Sequence, residues 1–221
     1  MRLLASESYN VAWFKLADFI ARGEKERALT VLKLLMHSIQ DEAIPYQLEG
    51  DILLAFDDDA ALDRYHVAAN IYKKAGKFQL AISLYEHVSL FKQDERILEA
   101  LFDVYFLLKN ATGMLDTFSR LAIICCKREK DNTILNLFHQ YLLRCSCDLH
   151  GLLGIRLVRA LLLYSPNNKL MDSYLLQTID LLKRQNQREE IYIFLSQLEG
   201  LDKSLYAKAQ DYMKSSFGIG V

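Results

Sequence analysis

Apolar residues recur at steps of three and four along the chain, the spacing of one buried helix face. Val11, Phe14, Leu16, Phe19 and Ile20 predict a helix over 6–22, and Gly23 supplies its C-terminal stop. Ala28, Leu29, Leu32, Leu35 and Met36 predict a second over 25–39. Pro45 sits at the start of a third, 44–56, where a missing N–H is tolerated. Asp57-Asp58-Asp59 opens a fourth that runs to about Ala75, its carboxylates set against the positive end of the helix dipole. After Gly76, helices are predicted over 78–91, 94–109, 112–128, 132–146, 150–164, 169–185, 187–199 and 202–216. The joints are short and polar: Gln93-Asp94, Lys109-Asn110, Lys130-Asp131, Asp148, Ser165-Pro166-Asn167-Asn168 and Gly200. Short joints make successive helices antiparallel. No segment reads as a strand, so the fold class is all-α, with about twelve helices in antiparallel pairs. No linker divides the chain. It reads as a single repeat domain over 1–221, with 202–221 as a C-terminal capping helix and tail.

Twelve helices of this length suit a stacked array better than a four-helix bundle, which directs attention to a period. The clearest window is 65–88: Tyr65, Ala68-Ala69, Tyr72, Gly76, Phe78, Ala81, Tyr85, Val88. Ala69 and Ala81 allow two backbones to approach, the tyrosines fill the space beside them, and Gly76 permits the sharp turn. This pattern resembles the tetratricopeptide repeat (TPR), most clearly over 65–126. Phe19, Gly23, Ala28, Leu32 and Leu35 keep the same spacing. So do Tyr105, Asn110, Leu115 and Ala122, with Asn110 standing in for the turn glycine. Gly154, Val158, Leu161 and Pro166 match the second half of a unit, with Val158 in place of the aromatic. Ala81 to Leu115 is 34 residues, the family's unit length, whereas Leu115 to Gly154 is 39. The resemblance implies a right-handed α-solenoid, a superhelix with one concave face. The helix over 44–56 breaks the phase. Ala61, Tyr65 and Ala68 can also serve as a second-helix triplet, so two pairings of the helices stay open around 44–75.

Composition narrows the functional classes. About half of the 221 residues are apolar, enough for a sizeable core. A net charge of −1 argues against nucleic-acid binding through a broad basic face. The start, Met1 to Glu7, has no apolar run of the secretory kind. The most apolar stretch, Leu152 to Tyr164, is broken by Arg156 and Arg159 and is short for a bilayer, so no membrane insertion is expected. A cytoplasmic location is expected, with the four cysteines reduced.

Candidate chemistry is sparse. Cys145, Cys147 and His150 form the one metal-like cluster, with Cys125 or Cys126 as a fourth ligand across a hairpin. Paired Cys-x-x-Cys knuckles are absent, so the expectation is no metal. No phosphate loop, nucleophile signature or cofactor motif appears, and no enzyme activity is expected. Asp57-Asp58-Asp59 lacks the spaced oxygens and glycine of a calcium loop and reads as a solvated helix start. Lys127-Arg128-Glu129-Lys130 reads as a basic helix end offsetting the dipole.

The resemblance also bears on ligands. Some tetratricopeptide proteins hold a peptide C-terminal carboxylate with Lys and Asn on successive first helices. Asn70, with Lys73 and Lys74, stands where part of that clamp would lie, and His66 replaces the preceding lysine. Ala17, Trp13, Ala100 and Val104 fall near the other clamp positions, so the clamp is incomplete. The expected function is a protein-interaction module (adaptor, scaffold or chaperone-like) holding a partner peptide or helix in a concave groove. His66, Asn70, Lys73 and Lys74 are its candidate contacts. The alternative is a structural subunit of a larger complex or a homodimer, with the tail Phe217–Val221 as a docking element.

Overall fold

A computed structural model describes the backbone of residues 5–217, with side chains described from 11 to 216. Twelve helices follow one another among the described residues, and no strand occurs there. They are α1 (Ala5–Ala21), α2 (Lys25–Met36), α3 (Ile44–Ala55), α4 (Ala60–Lys74), α5 (Phe78–Phe91) and α6 (Glu95–Leu107), then α7 (Ala111–Lys127), α8 (Asp131–Arg144), α9 (Cys147–Tyr164), α10 (Met171–Arg184), α11 (Arg188–Leu201) and α12 (Lys203–Phe217). The fold of the described residues is all-α. It divides into two compact units, Met1–Val104 and Tyr105–Val221, whose boundary falls within α6. The tail beyond Phe217, expected above to cap or dock, lies outside the described residues.

The apolar periodicity becomes a recurring buried triplet. Ala28, Leu32 and Leu35 on α2 are buried, as are Ala61, Tyr65 and Ala68 on α4 and Ala81, Tyr85 and Val88 on α5. In the second unit the same spacing buries Met114, Phe118 and Leu121 on α7, Ile134, Phe138 and Tyr141 on α8, and Ile191, Leu195 and Leu198 on α11. The two helix pairings left open around 44–75 both occur. α4 packs closely on α3 and also on α5. A helix inside a stack must bury two faces, so neighbouring helices carry the same triplet. The first core layer gathers Leu16, Ala28, Leu32, Leu35 and Ile52, with Trp13 packed against its edge.

Helix ends explain the turns. Six helices (α1, α3, α4, α6, α7 and α10) close in the same way. Each has a residue of positive φ, an N–H to the carbonyl three residues back, and a following N–H that reaches five residues back, as from Lys77 N–H to Tyr72 O at 2.9 Å. This double closure satisfies carbonyls that a helix end leaves open. Gly23 (φ 75°) and Gly76 (φ 71°) hold two of the left-handed positions, as the sequence predicts. The other four belong to Asp57, Lys109, Glu129 and Asn186.

Two expectations are corrected here. Asn110 does not replace the turn glycine. Lys109 takes the left-handed conformation, while Asn110 is extended and caps α7, its side-chain oxygen accepting from Gly113 N–H at 2.9 Å. Gly200 does not form a joint, because α11 runs through it to Leu201. The break comes at Asp202, whose carboxylate accepts from the Ser204 and Leu205 N–H groups at 2.8 and 3.0 Å and so starts α12. A short acceptor side chain outcompetes glycine as the boundary when it caps the next helix.

Polar contacts between helices also keep the period. Lys25 pairs with Asp58, Lys92 with Asp59, and Arg96 with Asp63 at 3.3 Å, each spanning 33 residues. Asp131 accepts from Ser165 at 2.8 Å and from Asn168 at 2.7 Å. Lys208 reaches Asp172 at 2.6 Å, 36 residues away. These contacts link residues 33 to 37 positions apart. Exposed pairs of this kind contribute roughly 0–1 kcal/mol apiece, so they set register more than strength.

Candidate partner-binding surfaces

His66, Asn70 and Lys73 fall at i, i+4 and i+7 of α4 and share one helix face. All three are half-buried, and Lys74 beside them is exposed. The structure thus brings together three of the four residues singled out in the sequence. Asn70, Lys73 and Lys74 make no side-chain hydrogen bond or ion pair among the described residues.

Tyr85 of α5 lies beneath this face. Its hydroxyl is 3.5 Å from His66 Nδ1, with the rings 5.9 Å apart. Burial lowers the His66 pKa first, and the charges of Arg96 and Lys73 lower it further. α6 supplies acid groups to the same region. Burial and the neighbouring Glu95, Asp103 and Asp94 carboxylates raise the Glu99 pKa, and Asp103 also acts on Tyr85. The surface offers an imidazole, an amide and an ammonium on one helix and carboxylates on another. That set hydrogen-bonds and pairs charges but contains no activated nucleophile.

Burial, then Asp103, pushes the Tyr85 phenol up to about 12 from 10.0. A raised folded pKa means that the folded chain keeps a proton which the unfolded chain releases. The stability that Tyr85 contributes is therefore complete below pH 10.0 and is lost as pH climbs toward about 12. Tyr85→Phe is expected to flatten that decline by up to about 1.4 kcal/mol per pH unit, read from urea unfolding at a series of alkaline pH values.

A second concavity in the same unit, about 760 Å³, is lined by Asp51, Asp57, Tyr65, His87, Phe91 and Lys92, among others. The Tyr65 hydroxyl donates to Asp51 at 2.6 Å, and Tyr65, His87 and Phe91 form an edge-to-face aromatic ladder with centroids 6.2 and 5.1 Å apart. Sequence reasoning missed it because its residues come from the ends of three helices. The one visible signal was Asp57-Asp58-Asp59. Two of those carboxylates are ion-paired to Lys92 and Lys25 instead of merely solvated.

The cysteine cluster does not converge. Cys125, Cys126 and Cys145 are buried thiols and Cys147 is exposed. His150 Nε2 lies 3.1 Å from the Cys145 carbonyl oxygen. No group of three or more His, Cys, Asp or Glu residues is arranged to hold a metal among the described residues. Burial raises the Cys126 thiol to about 11, with Asp131 adding to it, and burial also raises Cys145. The basic run ending α7 places Lys127 over the Tyr164 ring at 4.9 Å. No helix among the described residues is long and apolar enough to cross a membrane.

No family model matches the chain, and no curated protein sequence matches it. Solved structures similar to it include the C-terminal part of a TPR repeat-containing protein from Cytophaga hutchinsonii, at 13% identity, covering 96% of this chain and 84% of that one, with a TM-score of 0.28. Another is a tetratricopeptide repeat protein from Parabacteroides merdae, at 14% identity, covering 92% and 99%, with a TM-score of 0.27.

Proposed function

We propose that this chain is a protein-interaction module, an adaptor or scaffold without catalytic activity, that holds a partner peptide or helix against the α4 face. One observation carries the reading. Asn70 and Lys73 sit half-buried on a face shared with His66, their polar ends unengaged among the described residues, beside the exposed Lys74. Groups of that kind contribute little to the fold and are poised to bond a ligand. The four cysteines form no disulfide and three of them are buried, which supports a reducing compartment such as the cytoplasm.

The test is co-purification from the native cell with the parent chain and with an Asn70→Ala/Lys73→Glu variant. A defined partner retained by the parent and lost by the variant is the expected result. A parent that captures nothing, or a variant that captures the same partner equally well, removes the reading. A second reading, a fixed subunit or homodimer, draws on large apolar side chains left on the surface: Phe14 at 76%, Leu90 at 80% and Leu143 at 88% exposure. Molar mass in solution above that of one 25.5 kDa chain, and lowered by Leu90→Gln/Leu143→Gln, favours it.

A further inference from the structure

The largely buried helix α9 keeps two arginines, and their place in the second unit gives them a use. α9 is buried along most of its length, with Leu153, Leu157, Val158 and Leu161 in the core. Arg156 and Arg159 lie three residues apart, so they share the remaining face of α9. There they line a groove of about 140 Å³ with Ser119 and Ile123 of α7 and Ala160 and Leu163 of α9. α7 and α9 pack closely side by side, so the groove runs over a continuous two-helix face.

The charges on this face do not balance. Asp116 of α7 is engaged by Arg120 at 3.9 Å, and Lys127 lies on Tyr164. Neither Arg156 nor Arg159 has an ion-pair or hydrogen-bond partner among the described residues, although both are half-buried. A guanidinium partly withdrawn from water without an acceptor is unfavourable until a carboxylate arrives. Apolar side chains flank the pair: Ile123 is half-buried and Leu163 is 50% exposed.

We propose that the α7–α9 face docks an acidic amphipathic helix of a partner protein, its carboxylates on Arg156 and Arg159 and its apolar edge along Ile123 and Leu163. The proposal rests on the protein-binding reading above and adds the chemistry of the partner at a second surface. Charge complementarity selects the occupant. Two unpaired arginines between apolar side chains match a short acidic segment. A nucleic-acid backbone instead calls for a long run of cations, which a chain of net charge −1 does not assemble here.

The test titrates the full chain with a fluorescent helical peptide that carries leucines on one edge and glutamates at i, i+4 on the other, read by anisotropy. Arg156→Glu/Arg159→Glu is expected to weaken binding about tenfold or more, and a peptide with lysines in place of the glutamates is expected to recover it on that variant. Arg156→Gln/Arg159→Gln, which removes charge without reversing it, gives a smaller loss in the same direction. Asn70→Ala/Lys73→Glu is expected to leave this binding unchanged. Peptide binding that survives both arginine variants overturns the proposal, as does tighter binding of a single-stranded oligonucleotide than of the peptide. The α4 variant failing to lose its partner in the native cell sinks the earlier reading alone. The arginine variants failing here sink this one alone.

Discussion

Phe138→Ala is expected to lower the unfolding free energy by about 3–5 kcal/mol, a large share of the roughly 5–15 kcal/mol that a domain of this kind holds. Phe138 is 1% exposed on α8. Its ring contacts those of Phe118 on α7 and Tyr174 on α10, with centroids 6.2 and 5.9 Å apart, so it joins three helices. Truncation removes the transfer free energy and leaves a cavity that three helices must collapse to fill. Phe138→Leu retains most of the volume and is expected to cost about 1.5 kcal/mol or less. Thermal and urea unfolding followed by circular dichroism measure both. Near-equal losses for the two substitutions, or a loss under about 1 kcal/mol for alanine, contradict this role.

The second large effect comes from a residue with no side chain. Gly154→Val is expected to destabilise by about 2–3 kcal/mol, because α9 and α10 meet at that point. A Cβ on Gly154 would stand 2.5 Å from Thr178 Oγ1 and 2.9 Å from its Cγ2. Thr178 cannot easily move aside, since it is buried at 1% and donates to the Tyr174 carbonyl at 2.7 Å. Gly154→Ala should cost less than valine, and adding Thr178→Ala to it should recover part of the loss. Gly200→Ala is the opposite case. That glycine is exposed inside α11 with nothing within 4 Å of the added atom, so alanine is expected to stabilise by about 0.5–1 kcal/mol. Opposite signs for the two Gly→Ala changes are the decisive outcome. The same sign at both positions contradicts the close approach of α9 and α10.

These positions show which parts of the fold were legible in the chain. The apolar period located all twelve helices, because burial of one face writes itself directly into residue spacing. Gly23 and Gly76 were readable as turns for the same reason, since few residues other than glycine adopt positive φ without strain. Lys109 and Glu129 adopt it as well, held by the paired closing bonds of α6 and α7, and nothing in their identity announces this. Asn110 was misplaced by a single residue because Asn suits both a left-handed turn and a helix cap. The surfaces were harder. His66, Asn70 and Lys73 share a face on one helix, which spacing alone reveals. Arg156 and Arg159 read in the sequence only as interruptions of an apolar run. Their meaning depends on which side of α9 is covered by α7 and α10, and that is settled by packing between distant segments.

The burial of three cysteines has a practical side. Cys125, Cys126 and Cys145 are buried away from reagents, and burial pushes the Cys126 thiol up to about 11 and raises the Cys145 thiol as well, both against the reactive thiolate. Cys147, at the first position of α9, is open to solvent. A maleimide dye or nitroxide added to the unaltered chain should therefore attach there, giving a spectroscopic reporter on the same helix as the Arg156–Arg159 groove without engineering a new attachment point.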